Sequence, residues 1–362
     1  MVHAPRDFTG KVNAVILRNL AGNGTFAPSN PDMTLDFLEG KSVLVTGGTG
    51  SFGQKFVRTL LERSRARRVI VFSRDELKQS QMQVTFAAHQ DRLRFFLGDV
   101  RDANRLVRAF QGVDYVVHAA ALKQVPALEY NPFEAVQTNI IGSQNVMTAA
   151  IDAHVRKAVL VSTDKAANPA NLYGATKLCA ERLFIAGNVY ANGVTAFGVV
   201  RYGNVFGSRG SLVHVVQEQR KSGLITLTHE EMTRFWITLD QGVALVLQAL
   251  AGMHGGEILI PKIPSMRVKD LITMLAPECT IRVVGIRPGE KIHELLITPE
   301  EARRTRELEA HYVILPDAPH PTLIERYRTA KLFSDGPSYA SNANTRWVDE
   351  QGLRALLASV QE

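Results

Sequence analysis

The chain has 362 residues, of which 45% are hydrophobic and 21% charged, and a formal net charge of +7. That length carries a full α/β core with a smaller lobe, and the composition excludes a disorder-dominated chain. Cys179 and Cys279 are the sole cysteines, too few for a disulfide framework and spaced for neither a metal nor a redox motif, so reduced, packed thiols and a cytoplasmic protein are expected, with no metal.

The first segment, residues 1–36, reads as an extension. It is rich in Gly, Asn, Pro and Ser from Ala21 to Met33, and its apolar run Val12 to Leu20 falls short of the roughly 20 residues that span a bilayer. From Lys41 to about Gly203, apolar runs beginning at Lys41, Arg68, Leu93, Tyr115, Lys157 and Thr195 alternate with amphipathic helical patterns. This predicts a Rossmann-like doubly wound parallel sheet over residues 37–203. After the first run come Gly47, Gly48, Thr49, Gly50, Ser51, Phe52 and Gly53, then a helix through Leu61. Glycines at 47, 50 and 53 suit a tight turn, a backbone close to a pyrophosphate at a helix N-terminus, and close packing of helix on strand.

The end of the second run bears on the choice of dinucleotide. An acid there, about 20 residues past the glycines, suits the ribose hydroxyls of NAD. Here Ser73 and Arg74 stand instead, with Lys78 one turn on, a hydroxyl and cations that suit the 2′-phosphate of NADP. Asp75 follows at once and is the competing reading. Asp99 and Val100 after the third run flank the adenine, and Ala119, Ala120 and Ala121 after the fourth let the nicotinamide half lie against small side chains.

The fifth run, Lys157 to Thr163, delivers Thr163, Asp164 and Lys165 at the sheet edge where ligands of open α/β folds bind. Tyr173 and Lys177 are four apart, so they share a helix face, and an ammonium so placed favours the phenolate of a tyrosine base. A lone Tyr and Lys at this spacing would fit an ordinary surface helix; the preceding Thr-Asp-Lys argues for a catalytic set. Residues 204–362 read mainly as a smaller C-terminal substrate-binding lobe that includes Gly256–Ile260, the Pro261–Pro264 turn and Ile281–Ile286, with about 235–255 returning to the first domain. Phe184, Phe235 and Trp236 read as core. The dispersed basic residues lack the arm or aromatic platform of a nucleic-acid binder and fit a basic cleft for a doubly anionic substrate.

From about Leu35 onward the sequence resembles the extended short-chain dehydrogenases/reductases, and within them the soluble inverting UDP-N-acetylglucosamine 4,6-dehydratases of the pseudaminic acid pathway. The matching segments are TGGTGSFG, FSRDE, HAAALKQVP, STDKAANPANLYGATK, VRYGNVFGSRGS, MTRFWITLDQG, GGEILIPKIPSM and GIRPGEKIHE. The resemblance implies that Tyr173, activated by Lys177, takes the C4 hydroxyl proton while NADP+ takes the C4 hydride. Lys165, with a depressed pKa, then removes the C5 proton, protonated Asp164 assists departure of the C6 hydroxyl, and Thr163 bonds the sugar near C4. It also implies that Lys123 serves cofactor and substrate, that Asn204, Ser208, Arg209, Arg234, Arg287 and Glu290 hold the UDP-activated amino sugar, and that the chain forms a homo-oligomer. Lys165 marks the inverting branch, since retaining relatives carry Glu there. The sequence departs from the family at Phe206, His214, His229 and Glu231, all in the substrate half, so a different sugar or base stays open. The alternatives are a 4-epimerase, a 5,6-dehydratase and a non-catalytic NADP-binding regulator.

Overall fold

The computed structural model describes residues 34–208, 210–334 and 336–358. The extension's Val12–Leu20 run, the stretch 21–33 and the candidate ligand Arg209 lie outside the described residues.

Six of the apolar runs form the strands β1 (Ser42–Thr46), β2 (Arg68–Ser73), β3 (Leu93–Leu97), β4 (Tyr115–His118), β5 (Lys157–Thr163) and β6 (Ala196–Tyr202). Between them run α1 (Ser51–Arg63), α2 (Glu76–Thr85), α3 (Ala103–Ala109), α4 (Val125–Tyr130), α5 (Pro132–Ala135), α6 (Gly142–Asp152) and α7 (Leu172–Tyr190). The strands pair in parallel in the order β3-β2-β1-β4-β5-β6. β1 and β4 are buried along their whole length, as strands covered by helices on both faces are. The winding reverses between β1 and β4, which opens a crevice at the carboxyl ends of those strands. Short polar side chains start the helices: Asp75 accepts from the Lys78 amide at α2, Asp102 from Arg105 at α3 and Asn171 from Gly174 at α7. One turn of π-helix, Val136–Ile141, separates α5 from α6 and brings Thr138 to the crevice.

Beyond β6 the elements are β7 (Asn204–Val205), α8 (Leu212–Arg220), β8 (Leu224–Leu227), β9 (Thr233–Ile237), α9 (Leu239–Gly252), β10 (Ile258–Pro261), β11 (Ser265–Arg267), α10 (Val268–Leu275), β12 (Thr280–Val283), β13 (Leu295–Ile297), α11 (Pro299–Ala302), β14 (Thr305–Glu307), β15 (His311–Ile314), α12 (Pro321–Arg326), β16 (Lys331–Leu332), β17 (Tyr339–Ala340) and α13 (Glu350–Ala358). The smaller lobe contains the sheet β11-β9-β7 and the pair β12-β8, closed by a core that includes Phe206, Trp236, Met266 and Leu353. α9, in the stretch expected to return, packs against α1, β5 and β6.

Two expectations are corrected. Gly256–Ile260 does not build the smaller lobe: Ile258 and Leu259 pair in parallel with β6, and antiparallel β15, β14 and β16 continue the same sheet to ten strands. A short all-apolar strand carries no alternation to show which sheet it will join. Cys179 is exposed on α7 and not packed, and both thiols are free.

A charged knot lies deep under β6. Arg201 is fully buried and donates to Glu181 of α7 at 2.6 Å, to Glu301 of α11 at 2.8 Å and to the Leu296 carbonyl at 3.0 Å.

Candidate active site

The crevice is a cleft of about 600 Å³. Its first wall holds the residues expected to bind a dinucleotide other than Tyr173 and Lys177: Gly47, Thr49, Gly50, Ser51, Phe52 and Gly53 of the loop, Ser73, Arg74 and Lys78 after β2, Asp99 and Val100 after β3, and Ala119, Ala120, Ala121 and Lys123 after β4. Gly47 sits at φ +67, and a Cβ there would lie 2.8 Å from the Ala120 backbone, so the loop and the β4 end meet with no space for a side chain. The first turn of α1 carries no acid, leaving the positive end of its dipole facing the loop. These are the features a bound pyrophosphate requires, and the residues fit a nicotinamide dinucleotide.

At the end of β2, the Ser73 hydroxyl hydrogen-bonds with that of Thr49 at 2.8 Å. The Arg74 guanidinium is half exposed, 3.6 Å from Asp99. Asp99 itself is drawn to Arg101 at 2.8 Å; burial opposes its ionisation, but bonds from Arg101 hold its pKa below the usual range. Lys78 is ion-paired to Asp75, and the same Asp75 caps α2.

The opposite wall carries Thr163, Asp164 and Lys165 from the β5 end and Tyr173 and Lys177 from α7. Gly174 makes that meeting possible, since a Cβ on it would lie 2.2 Å from the Lys165 carbonyl oxygen. Asp164 is fully buried; it accepts from the Thr163 hydroxyl at 2.9 Å and from Lys165 Nζ at 3.1 Å, and its Oδ2 has no partner. Burial raises its pKa, and nearby Glu294 adds to the rise, against the pull of Lys165.

The expected depression of Lys165 is overturned. Burial does push its pKa down, but Asp164 and Glu294 together outweigh burial and leave it raised. Tyr173 also differs from expectation: burial pushes it up to about 12, and the cation that opposes this is Lys165. Lys177 is lowered to about 8 by burial, with Glu181 resisting. A lysine four residues on from a tyrosine supplies a charged neighbour only if it stays charged, and burial acts on both groups of the pair.

Of the candidate substrate residues, Asn204 and Ser208 line the cleft, and Asn204 Oδ1 is buried without a partner. Arg234 is outside that lining, donating to the carbonyls of Thr233, Ile292 and Lys291 at 2.7, 3.0 and 3.0 Å and pairing with Glu290 at 3.7 Å. Arg287 is exposed, outside the cleft lining. The departures Phe206, His214, His229 and Glu231, and Glu230 between the last two, also stand outside that lining. Phe206 packs on Trp236 at 5.6 Å in the lobe core, and Glu230 pairs with Lys269 at 3.0 Å.

Glu294 was not singled out from sequence. It closes the GIRPGEKIHE segment, and its 2% exposed side chain lies 3.3 Å from Lys165 and 3.7 Å from Lys291. The signal was a second glutamate four residues after Glu290, on a segment whose position beside β5 is a tertiary fact. Among the described residues no His/Cys/Asp/Glu group is arranged for a metal, and no helix is long and apolar enough to cross a membrane.

A glycine loop, small residues after β4 and a Tyr-Lys pair on the helix after β5 define a Rossmann-fold enzyme of the short-chain dehydrogenase/reductase class. Residues 43–316 match the family described as polysaccharide biosynthesis protein, and the chain belongs to that family. The chain is similar to the UDP-N-acetylglucosamine 4,6-dehydratase (inverting) of Campylobacter jejuni, 46% identical over 88% of this chain and 97% of that protein. It is also similar to a UDP-glucose 4-epimerase of Rickettsia conorii, 41% identical over 88% and 96%. Among solved structures, Pen from Bacillus thuringiensis superposes with a TM-score of 0.82 at 38% identity, covering 90% of this chain and 99% of that one.

Proposed function

We propose that the protein is a sugar-nucleotide 4,6-dehydratase that inverts C5, converting UDP-N-acetylglucosamine to a UDP-2-acetamido-2,6-dideoxy-4-keto-hexose with NADP as its cofactor. The observation that carries the reading is the pair of buried Asp164 and cleft-facing Lys165 beside Tyr173. Relatives bear both the dehydratase and the epimerase name. An epimerase needs an acid–base group only at C4, whereas a dehydratase also needs a base for C5 and an acid for the C6 hydroxyl, which Lys165 and Asp164 supply.

Loss of water across C5 and C6 has no driving force until C4 is a ketone, because only that carbonyl acidifies the C5 proton. The bound dinucleotide supplies a reversible hydride acceptor for this purpose. Tyr173, as the phenolate left once its own proton has passed to solvent, takes the C4 hydroxyl proton, and Thr163 orients that hydroxyl. For Lys165 to act as base, one of its N–H bonds breaks while an O–H bond forms on Asp164 across their 3.1 Å contact. This leaves a free amine and a carboxylic acid with no change in proton count. The amine then turns about its Cε–Nζ bond, which brings the lone pair round to the cleft; there it takes the C5 proton while the acid protonates the departing C6 hydroxyl.

NADP is favoured because the end of β2 offers Ser73 and the exposed Arg74, while the competing acid, Asp75, is spent on capping α2 and on Lys78. Tyr130 of α4 and Phe133 of α5, both exposed, support a homo-oligomer, and the reading includes a cytoplasmic location. Incubation with UDP-N-acetylglucosamine in heavy water tests the activity by mass spectrometry and NMR: loss of water, a 4-keto product and deuterium at C5 are expected. Conversion to the C4 epimer without loss of water would replace this reading with the epimerase.

A further inference from the structure

The base assigned above has an unexplained neighbour. Lys165 Nζ lies 3.1 Å from Asp164 Oδ1 and 3.3 Å from Glu294 Oε1, and both carboxylates are buried. An amine nitrogen has three tetrahedral directions beyond its carbon bond. Two are taken by carboxylates, and Lys165 lines the cleft, so the third is left for substrate. We propose, resting on the dehydratase reading, that Glu294 is a positioning residue that aims the Lys165 lone pair at C5 and, once the proton is taken, keeps it on the amine.

Glu294 is built to hold its place. Its amide donates to Ser341 Oγ at 2.9 Å, its carbonyl accepts from the Ser341 amide at 2.9 Å, and Ser341 Oγ also meets Thr233 Oγ1 at 2.6 Å. The charged and titratable groups facing it are Lys165 and Asp164 from the β5 end, Arg234 from β9 at 3.8 Å, and Lys291 from its own loop. Tyr173 faces Lys165 from α7, and His293 is turned away onto Thr233 at 2.9 Å. Burial disfavours the Glu294 anion, but Lys165, Arg234 and Lys291 hold its pKa below the ordinary range, so it stays ionised beside the amine.

The consequence is directional. A C5 proton that reaches Lys165 makes an ammonium clamped between two anions, from which return to the same face of C5 is unfavourable. Protonation of C5 by a solvent water on the opposite face then wins, the hydroxide it leaves being neutralised when Lys165 later passes its proton to solvent, and that is what inversion requires. An amine held by Asp164 alone would give the proton back more readily.

The test uses the full-length protein and its Glu294→Gln and Ser341→Ala variants. Trace acetylation across a pH series, read on the Lys165 peptide by mass spectrometry, reports the titration of that one amine without substrate. In Glu294→Gln the loss of an anion should lower the midpoint by at least about one pH unit, a tenfold loss of ammonium stability. With UDP-N-acetylglucosamine, C4 oxidation should persist while product with the original C5 configuration rises by about the same factor. Ser341→Ala, which keeps the charge but loosens its seat, should shift both readouts in the same direction by less, and it decides the matter if Glu294→Gln does not fold. An unmoved Lys165 midpoint, or product that stays wholly inverted, overturns the proposal. If the unmodified protein releases no water from the substrate but the midpoint still falls in Glu294→Gln, the dehydratase reading fails and the control of Lys165 by Glu294 stands.

Discussion

At the scale of single residues, the two proposed bases fail at different steps when removed. Tyr173→Phe should abolish reduced-cofactor absorbance on adding substrate, because no group remains to take the C4 proton. Lys165→Ala should retain that absorbance while C5 exchange with heavy water falls about 100-fold or more, the usual share of a general base; exchange at the unmodified rate would make the lysine structural. Arg74→Ala should narrow the preference for NADP(H) over NAD(H) by about 1 kcal/mol, below the usual range for a charged hydrogen bond because solvent screens the half-exposed guanidinium. Equal affinity of the unmodified protein for the two dinucleotides, measured by calorimetry, would remove the assignment. Sequence showed these residue types because their spacing along one strand end and one helix turn is itself the signal. It misjudged their ionisation, since Asp164 and then Glu294 hold the Lys165 pKa up against burial, and Glu294 is distant in the chain.

At the scale of elements, the decisive contact is between the turn after β5 and the first turn of α7. Alanine is ordinarily the better helix former by about 1 kcal/mol, so Gly174→Ala would stabilise an isolated α7. Here the added methyl would sit 2.2 Å from the Lys165 carbonyl oxygen, and overpacking of this kind costs about 1–3 kcal/mol. The clash wins: urea denaturation should show net destabilisation, and turnover should fall about 100-fold as the Asp164–Lys165 turn is displaced by about 1 Å. Undiminished turnover would show that the turn can yield. Strands β1 to β6 were legible because each buried run is bounded by loop signals and separated by a helix. β10 was not, because four apolar residues pair equally well with either sheet until β6 and β15 are both in place.

At the scale of the whole molecule, Arg201 fastens the chain's parts together. It joins β6 to Glu181 on α7 and to Glu301 on α11, and Glu181 also accepts from Ser162 at 2.5 Å on β5. Arg201→Met leaves two buried carboxylates facing each other without a cation, which should lower the unfolding free energy by about 3–5 kcal/mol. A loss under about 1 kcal/mol in denaturant titration would mean that the carboxylates protonate without penalty. The other long-range fastening, Ser341 to Glu294, bears on how the protein is made. Synthesis runs from the amino end, so the glycine loop, Tyr173 and Lys177 leave the ribosome long before Ser341. A nascent chain can therefore take up its dinucleotide early, yet Lys165 has no seated Glu294 beside it until translation is nearly complete. Control over C5 is thus the last property the chain acquires, and a ribosome stalled before Ser341 would display a cofactor-loaded enzyme that oxidises C4 but does not fully invert C5.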